Sequence, residues 1–188
     1  MKKYIHKKAW HAFDGWLPLA VGLTILTGMV YISGQFILRT QANDLQNQIV
    51  SDVERFLDMG ADANMFSNQV PVVIESRSTS AYVVLYDAEA SPVAGYGMLH
   101  GALPRLPAGV YEHAKKVGDH RFTWQPERGV RQAVVLRYHE GVSPGFILSG
   151  RSLVQVEHNI GTLGTLISLA WTFMMLATLF VAGVFVKI

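Results

Sequence analysis

Five histidines between the two long apolar segments of the chain are the first residues to test for chemistry, because imidazole binds metals and transfers protons near neutral pH. They are His100, His113, His120, His139 and His158. None of them stands in an HxH or HExxH spacing, and the chain has no Cys, so disulfides and thiolate sites are excluded. Neither apolar segment contains His, which argues against a haem held between two helices. We therefore predict no metal and no cofactor, with a metal site assembled only by the fold as the alternative.

Catalytic patterns are equally absent from the sequence. There is no GxSxG nucleophile motif, and no Ser lies in a recognisable Ser-His-Asp context. Asp87 and Glu89 are close together, but they stand in DAEASP, a turn sequence in which Asp is expected to bond to the backbone. We predict that the protein is not an enzyme.

One pattern does suit ligand binding. Strand alternation in VRQAVVLRYH places Arg131 and Arg137 on one face, and Phe122 and Trp124 share a face of the preceding strand. A Trp beside an Arg can bind an anionic or aromatic ligand through bidentate hydrogen bonds and a cation–π contact. The candidate ligand-binding residues are Tyr96, His100, Trp124 and Arg131. The alternative is that Trp124 belongs to the core and the arginines are solvated.

Two long apolar segments must position these residues. Leu17–Leu38 and Leu163–Val186 contain no charged residue and no His. As helices they would reach roughly 33 and 36 Å, enough to cross a hydrocarbon core of about 30 Å. We predict transmembrane helices at 17–38 and 161–186. The first could instead be a signal peptide, but its 22 residues exceed the usual apolar core of one and favour an uncleaved anchor.

Lysine distribution predicts the orientation. Lys2, Lys3, Lys7 and Lys8 precede the first segment and Lys187 follows the second, so both ends, 1–16 and 187–188, are expected in the cytoplasm. Residues 39–160 would then form one extracytoplasmic domain. That domain holds 11 Lys and Arg against 13 Asp and Glu, which argues against nucleic acid as a partner. The lipid bilayer is the expected partner of the two apolar helices.

The pattern of residues 39–160 predicts an α+β fold. Leu45, Ile49, Val53 and Leu57 recur at helical spacing, with Asn43 or Asp44 as N-cap and Gly60 as stop, and this helix is expected to continue the first span. A short helix is expected to end at Gly118. We predict a five-stranded antiparallel sheet with helices. Its strands are Ala81–Asp87, Val93–Leu99, His120–Gln125, Val130–His139 and Gly145–Arg151.

The last strand leads directly into a helix. Ser152-Leu-Val-Gln155 fits a capping box, which predicts a helix start immediately after Arg151. Gly161 and Gly164 are the only interruptions before the second apolar segment, so a continuous rod from sheet to membrane is expected. Such a rod transmits displacement, and Arg151, Ser152 and Gln155 are the predicted relay residues. Small residues in Thr24-x-x-x-Gly28 and Gly164-x-x-x-Ser168 predict close helix packing, within a two-helix hairpin or across a homodimer.

Several segments carry a resemblance to a known family. QANDLQNQ, YDAEASPVAGYG, FTWQPERGVR and GRSLVQVE resemble the extracytoplasmic PAS-like or Cache-like sensing region of bacterial membrane-bound sensor histidine kinases. The resemblance covers nearly the whole chain and implies a five-stranded antiparallel sheet with helices that senses a ligand or envelope state. In that family the second span leads to a HAMP linker and a kinase, which this sequence lacks up to Ile188.

Together these observations predict a two-pass protein of the bacterial inner membrane that takes part in signal transduction. Its PAS-like domain would bind a ligand or partner and relay this through the second transmembrane helix, without a kinase of its own. The alternative is an accessory or assembly subunit of a larger membrane complex, in which the external domain is a docking surface for a membrane protein partner.

Overall fold

The structure is a computed structural model that describes the backbone of residues 2–141 and 143–187, and the side chains of 15–141 and 143–184. The side chains of Lys2, Lys3, Lys7, Lys8 and Lys187, on which the predicted orientation rests, and Ile188 of the predicted cytoplasmic end lie outside the described residues. The chain forms two compact units. One is Arg39–Glu157, and the other consists of the helical segments before residue 39 and after residue 157.

Three helices and seven strands make up the described chain, together with one 3₁₀ helix. In chain order they are α1 (Lys2–Asp58), the 3₁₀ helix (Ala63–Asn68), β1 (Val72–Val73), β2 (Tyr82–Asp87), β3 (Pro92–Gly95), β4 (Gly97–Met98), α2 (Ala108–Val117), β5 (Asp119–Glu127), β6 (Val130–His139), β7 (Gly145–Ser152) and α3 (Val154–Lys187). The α+β class is confirmed. Because α1 is unbroken, the predicted continuation of the helix beyond the first apolar segment is confirmed, and the predicted N-cap at Asn43 or Asp44 is wrong.

The centre of the unit Arg39–Glu157 is a five-stranded antiparallel sheet of order β3-β2-β7-β6-β5. Short β1 and β4 pair separately and in parallel. The predicted five-stranded antiparallel sheet is thus confirmed, but its second strand is shorter than expected. Val93–Leu99 divides into β3 and β4, because the chain turns at Gly95, which has a φ of +147°, and β4 pairs with β1.

Both faces of this sheet are covered. On one face the last turns of α1 bury Val50 and Val53 against Val83, Val135 and Ile147. On the other face α2 and the segment before it pack on a second layer, whose buried members are Ile74, Tyr82, Val84, Tyr86, Leu106, Tyr111, Ala114, Val130, Val134, Leu136, Phe146 and Leu148. Strands that are buried on both faces have continuous apolar sequences, as in YVVLY of β2 and AVVL of β6. We call these the α1 face and the α2 face.

Tyr82 occupies a slot on the α2 face that two glycines create. A Cβ at Gly97 would lie 2.2 Å from the Tyr82 ring, and a Cβ at Gly150 would lie 2.4 Å from its Cζ and its hydroxyl oxygen. The hydroxyl is buried and has no hydrogen-bond partner, and burial raises the pKa of Tyr82. Any side chain at either glycine would therefore displace this ring.

The second unit contains an antiparallel pair of apolar helix segments. The Trp16 indole donates to Thr178 at 3.1 Å, the Trp171 indole donates to Thr24 at 3.1 Å, and Gly164 approaches Tyr31. Two helices here are long and apolar enough to span a membrane. Their most apolar 18-residue stretches have mean hydropathies of 1.7 and 2.0, and 6% and 0% of the residues in these stretches are buried. An apolar surface this exposed has no protein core to cover it within the described residues.

Candidate functional site

The structure separates two of the residues predicted to form one ligand site. Trp124 pairs with Gln132 across the β5–β6 hairpin and packs with the apolar layer of the α2 face. Arg131 precedes Gln132 and therefore points to the α1 face, as does Arg137. Trp124 and Arg131 thus lie on opposite faces of the sheet and do not form one pocket. The predicted division of β6 into two faces is confirmed, but placing these two residues together is wrong.

His100 lies in an exposed turn between two carboxylates. Its Nδ1 is 3.1 Å from Glu75 Oε1 and its Nε2 is 2.6 Å from Glu127 Oε1. A hydrogen bond from the backbone N–H of Glu75 itself, and then one from the backbone N–H of His100, lower the pKa of the Glu75 carboxyl. These contacts join the β4–α2 connection to the end of β5. Among the described residues no group of His, Asp and Glu is arranged to hold a metal ion.

Tyr96 lies at the edge of the sheet, between β3 and β4. Its backbone N–H donates to Val83 O at 3.0 Å, and its carbonyl accepts from Val72 N at 2.7 Å. The side chain is half-buried and contacts both apolar layers. Tyr96 therefore links the main sheet to the β1–β4 pair.

Arg131 joins β6 to the first turn of α3. Its Nη1 donates to Glu157 Oε1 at 2.5 Å, and its carbonyl accepts from Leu153 N at 2.9 Å. One side-chain contact and one backbone contact therefore hold the start of α3 on the edge of β6. Arg131, which was predicted to bind a ligand, lies at the strand-to-helix junction.

The three predicted relay residues also lie at this junction. Arg151 Nε donates to Thr79 O at 2.6 Å, and the buried Ser152 hydroxyl accepts from Val154 N at 3.3 Å. Ser152 still belongs to β7, and the first bond of α3 runs from Glu157 N to Leu153 O. Leu153 rather than Ser152 therefore stands in the N-cap position, one residue later than the capping box predicted, and Gln155 is exposed in the first turn of α3.

Arg137 makes the corresponding connection to α1, which the sequence analysis missed. Its Nη1 donates to Glu54 Oε2 at 2.7 Å and to Ser51 Oγ at 3.1 Å, while Nε and Nη2 donate to the two carboxylate oxygens of Asp119. These hydrogen bonds raise the pKa of Arg137, whose side chain is 18% exposed. Strand alternation could identify the face of Arg137, but not its partner 83 residues away.

A cavity of about 240 Å³ lies on the α1 face, where β2 ends and β7 begins. Its lining is mostly apolar and includes Leu57 of α1 and Ile147 of β7. Two titratable side chains, Asp87 and His139, also reach it. His139 is buried, with Nδ1 3.7 Å from Glu54 and Nε2 3.6 Å from Asp58. The cavity therefore contacts both elements that lead towards the apolar helices.

No protein-family model, characterised protein or solved structure matches this chain.

Proposed function

We propose that the protein is a membrane-anchored sensor of the bacterial inner membrane. Arg39–Glu157 would be its extracytoplasmic PAS-like domain, which binds a ligand or partner and relays the event through α3. One observation carries this proposal: two arginines on the same face of β6 contact both long helices, Arg137 through Glu54 of α1 and Arg131 through Glu157 of α3. A shift of β6 on ligand binding would then act on both helices through these two contacts.

The helix boundaries support the relay. α3 begins two residues after β7 ends and is unbroken from Val154 to Lys187, and α1 is unbroken from Lys2 to Asp58. An α-helix transmits a displacement or rotation of its first turn along its length, which a flexible linker does not. A ligand would bias the helices only by binding two arrangements of the domain with different affinity.

The helix pair supports the membrane anchor. Large apolar side chains are exposed along both segments, including Phe36 at 70% and Phe173 at 73%. The antiparallel pairing would place both chain ends on one side of a bilayer, as the lysines predict. A single cysteine at exposed Asn68 should react with a membrane-impermeant maleimide in intact spheroplasts, and one at Lys8 should react only after lysis. The reverse pattern would disprove this topology.

The relay can be tested by disulfide crosslinking, because the chain contains no Cys. A Cβ at Gly34 would lie 2.7 Å from Leu163 Cδ2, so Gly34→Cys with Leu163→Cys reports the packing of the helix pair. We expect Arg131→Gln to change the crosslinking rate in membrane vesicles by at least threefold. Arg128→Gln, in the β5–β6 turn, is the matched control. Equal rates in all three proteins would refute the relay.

A second candidate function is an accessory subunit of a larger membrane complex. One observation favours it: a groove of about 440 Å³ runs along the helix pair, lined by Thr24, Gly28, Gly164 and Ser168 beside Trp171. These small residues would let another helix approach closely, from a membrane protein partner or a second copy. Purification in mild detergent discriminates the two functions. A stoichiometric partner that Gly28→Leu removes favours the subunit, whereas relay without any such partner favours the sensor.

A further inference from the structure

At the base of the cavity on the α1 face, the central residue is a glycine, Gly145. Asp87 of β2, Gly145 of β7 and His139 of β6 form one row across three neighbouring strands. With strands about 4.8 Å apart, the two outer residues stand roughly 10 Å from each other. A Cβ at Gly145 would lie 2.2 Å from the carbonyl oxygen of Tyr86, so only glycine fits at the centre of this row. The row therefore places two polar side chains on either side of a residue that has no side chain.

The walls above this base are apolar. Apart from Ser143, they comprise Leu57, Ala63, Leu85, Tyr86, Val93, Pro144, Phe146 and Ile147. A volume of about 240 Å³ lies below the usual range for drug-sized ligands, roughly 300–1,000 Å³. The space therefore suits a small molecule with a hydrocarbon or aromatic body rather than a peptide or a nucleotide.

The charges at the two ends are negative. The Asp87 Oδ1 atom accepts from the backbone N–H groups of Ser91 at 2.7 Å and Glu89 at 3.1 Å, which fixes the direction of this carboxylate. At the other end Glu54 and Asp58 flank the imidazole of His139. The guanidinium of Arg137, also on this face, is already engaged by two carboxylates. Lys115 of α2 also lies near the Asp87 end, with its Nζ 3.4 Å from Ala88 O. Because the carboxylates outnumber the cations, the site should favour an organic cation over an organic anion.

We propose that this cavity binds a small apolar amine. Its ammonium group would donate to Asp87, and its apolar body would lie over Gly145 between Leu57 and Ile147, with its far end towards His139. This deepens the proposed sensor function, on which it rests, by naming the ligand class. Bound there, the amine would touch α1 through Leu57 and, through Ile147, the strand β7 that leads into α3.

Matched small molecules test the proposal on the full chain in detergent. The probes are 2-phenylethylamine, 2-phenylethanol and 3-phenylpropanoate, followed by saturation-transfer NMR and calorimetry. We expect the amine to bind at least tenfold more tightly than the acid, with the alcohol in between. Asp87→Asn keeps the acceptor of the turn but removes the charge, so amine binding should weaken about 10- to 100-fold because a charge-assisted hydrogen bond is lost. Glu112→Gln, on exposed α2, should leave binding unchanged.

Three outcomes would overturn the proposal. The first is tighter binding of 3-phenylpropanoate than of 2-phenylethylamine. The second is amine binding that Asp87→Asn leaves unchanged. The third is no amine binding at millimolar concentration to the folded parent chain. Each leaves the crosslinking test of Arg131 unaffected, so failure of the ligand class is distinguishable from failure of the relay. Conversely, the amine could bind while leaving the rate of crosslinking between Gly34→Cys and Leu163→Cys unchanged. That result would support the binding site and contradict the sensor function.

Discussion

Replacing Arg137 by methionine removes the guanidinium that holds α1 on the sheet while keeping an apolar side chain of similar length. Arg137 donates to Glu54, Ser51 and Asp119, and its side chain is 18% exposed. An exposed ion pair contributes up to about 1 kcal/mol, whereas breaking a fully buried one costs about 3–5 kcal/mol. The two carboxylates flanking Arg137 are 30% and 35% exposed, and they would be left facing each other. We expect a loss of about 2 kcal/mol.

Hydrogen exchange of the full chain in detergent measures this loss locally. A change of about 2 kcal/mol corresponds to roughly 30-fold faster exchange of protected amides in β5 and β6. Arg55→Met is the matched control, because Arg55 is 72% exposed and has one carboxylate partner at 3.2 Å. It should change stability by less than about 0.5 kcal/mol. If Arg137→Met exchanges within about threefold of the parent, the idea that Arg137 fastens α1 to the sheet is refuted.

Three further substitutions test the core and its titration. Burial and the neighbouring His113 lower the pKa of His120, so stability should fall as pH drops below about 6.5, where the unfolded chain takes up the proton first. His120→Gln should reduce the fall of the melting temperature between pH 7 and 5. A fall as steep as that of the parent chain would contradict this prediction. Gly150→Ala should cost about 1–3 kcal/mol in denaturant unfolding, because its Cβ meets the Tyr82 ring, whereas Gly109→Ala should cost nothing. Gln46 is fully buried and its amide lacks a partner, so Gln46→Met should raise the melting temperature, and a drop of several degrees would show that the amide is satisfied.

The elements that local patterns describe could be predicted from the sequence. β6 and β7 are alternating or continuous apolar runs between turn residues, and both appear within one residue of their predicted bounds. The stop at Gly60 also follows from a local property, since its φ of +83° suits glycine and its N–H donates to Leu57 O. The division of Val93–Leu99 could not be predicted, because it depends on the pairing of β4 with β1, a contact between distant segments.

The site could be predicted only in part, for a similar reason. Strand alternation identified the sheet face on which Arg131, Arg137 and His139 lie. It cannot identify the residue that each side chain contacts there. Glu157 is 26 residues from Arg131 and Glu54 is 83 from Arg137, so both pairs depend on how the helices pack. The cavity beside Gly145 was not predicted, because its walls come from α1, β2, β3 and β7. Taken alone, each lining residue has the sequence pattern of an ordinary core or turn residue.

The two arginines of β6 should differ in what their loss changes, and this difference separates a relay contact from a structural one. The Arg131–Glu157 pair is 47% and 44% exposed, so it contributes less than about 1 kcal/mol to stability. We expect its effect to be on position, because the pair joins β6 to the first turn of α3. Arg131→Gln should therefore alter crosslinking of the helix pair without lowering the melting temperature, while Arg137→Met should lower stability. If Arg131→Gln acts only through lost stability, α3 is merely attached to the sheet, and the accessory-subunit function becomes the better account.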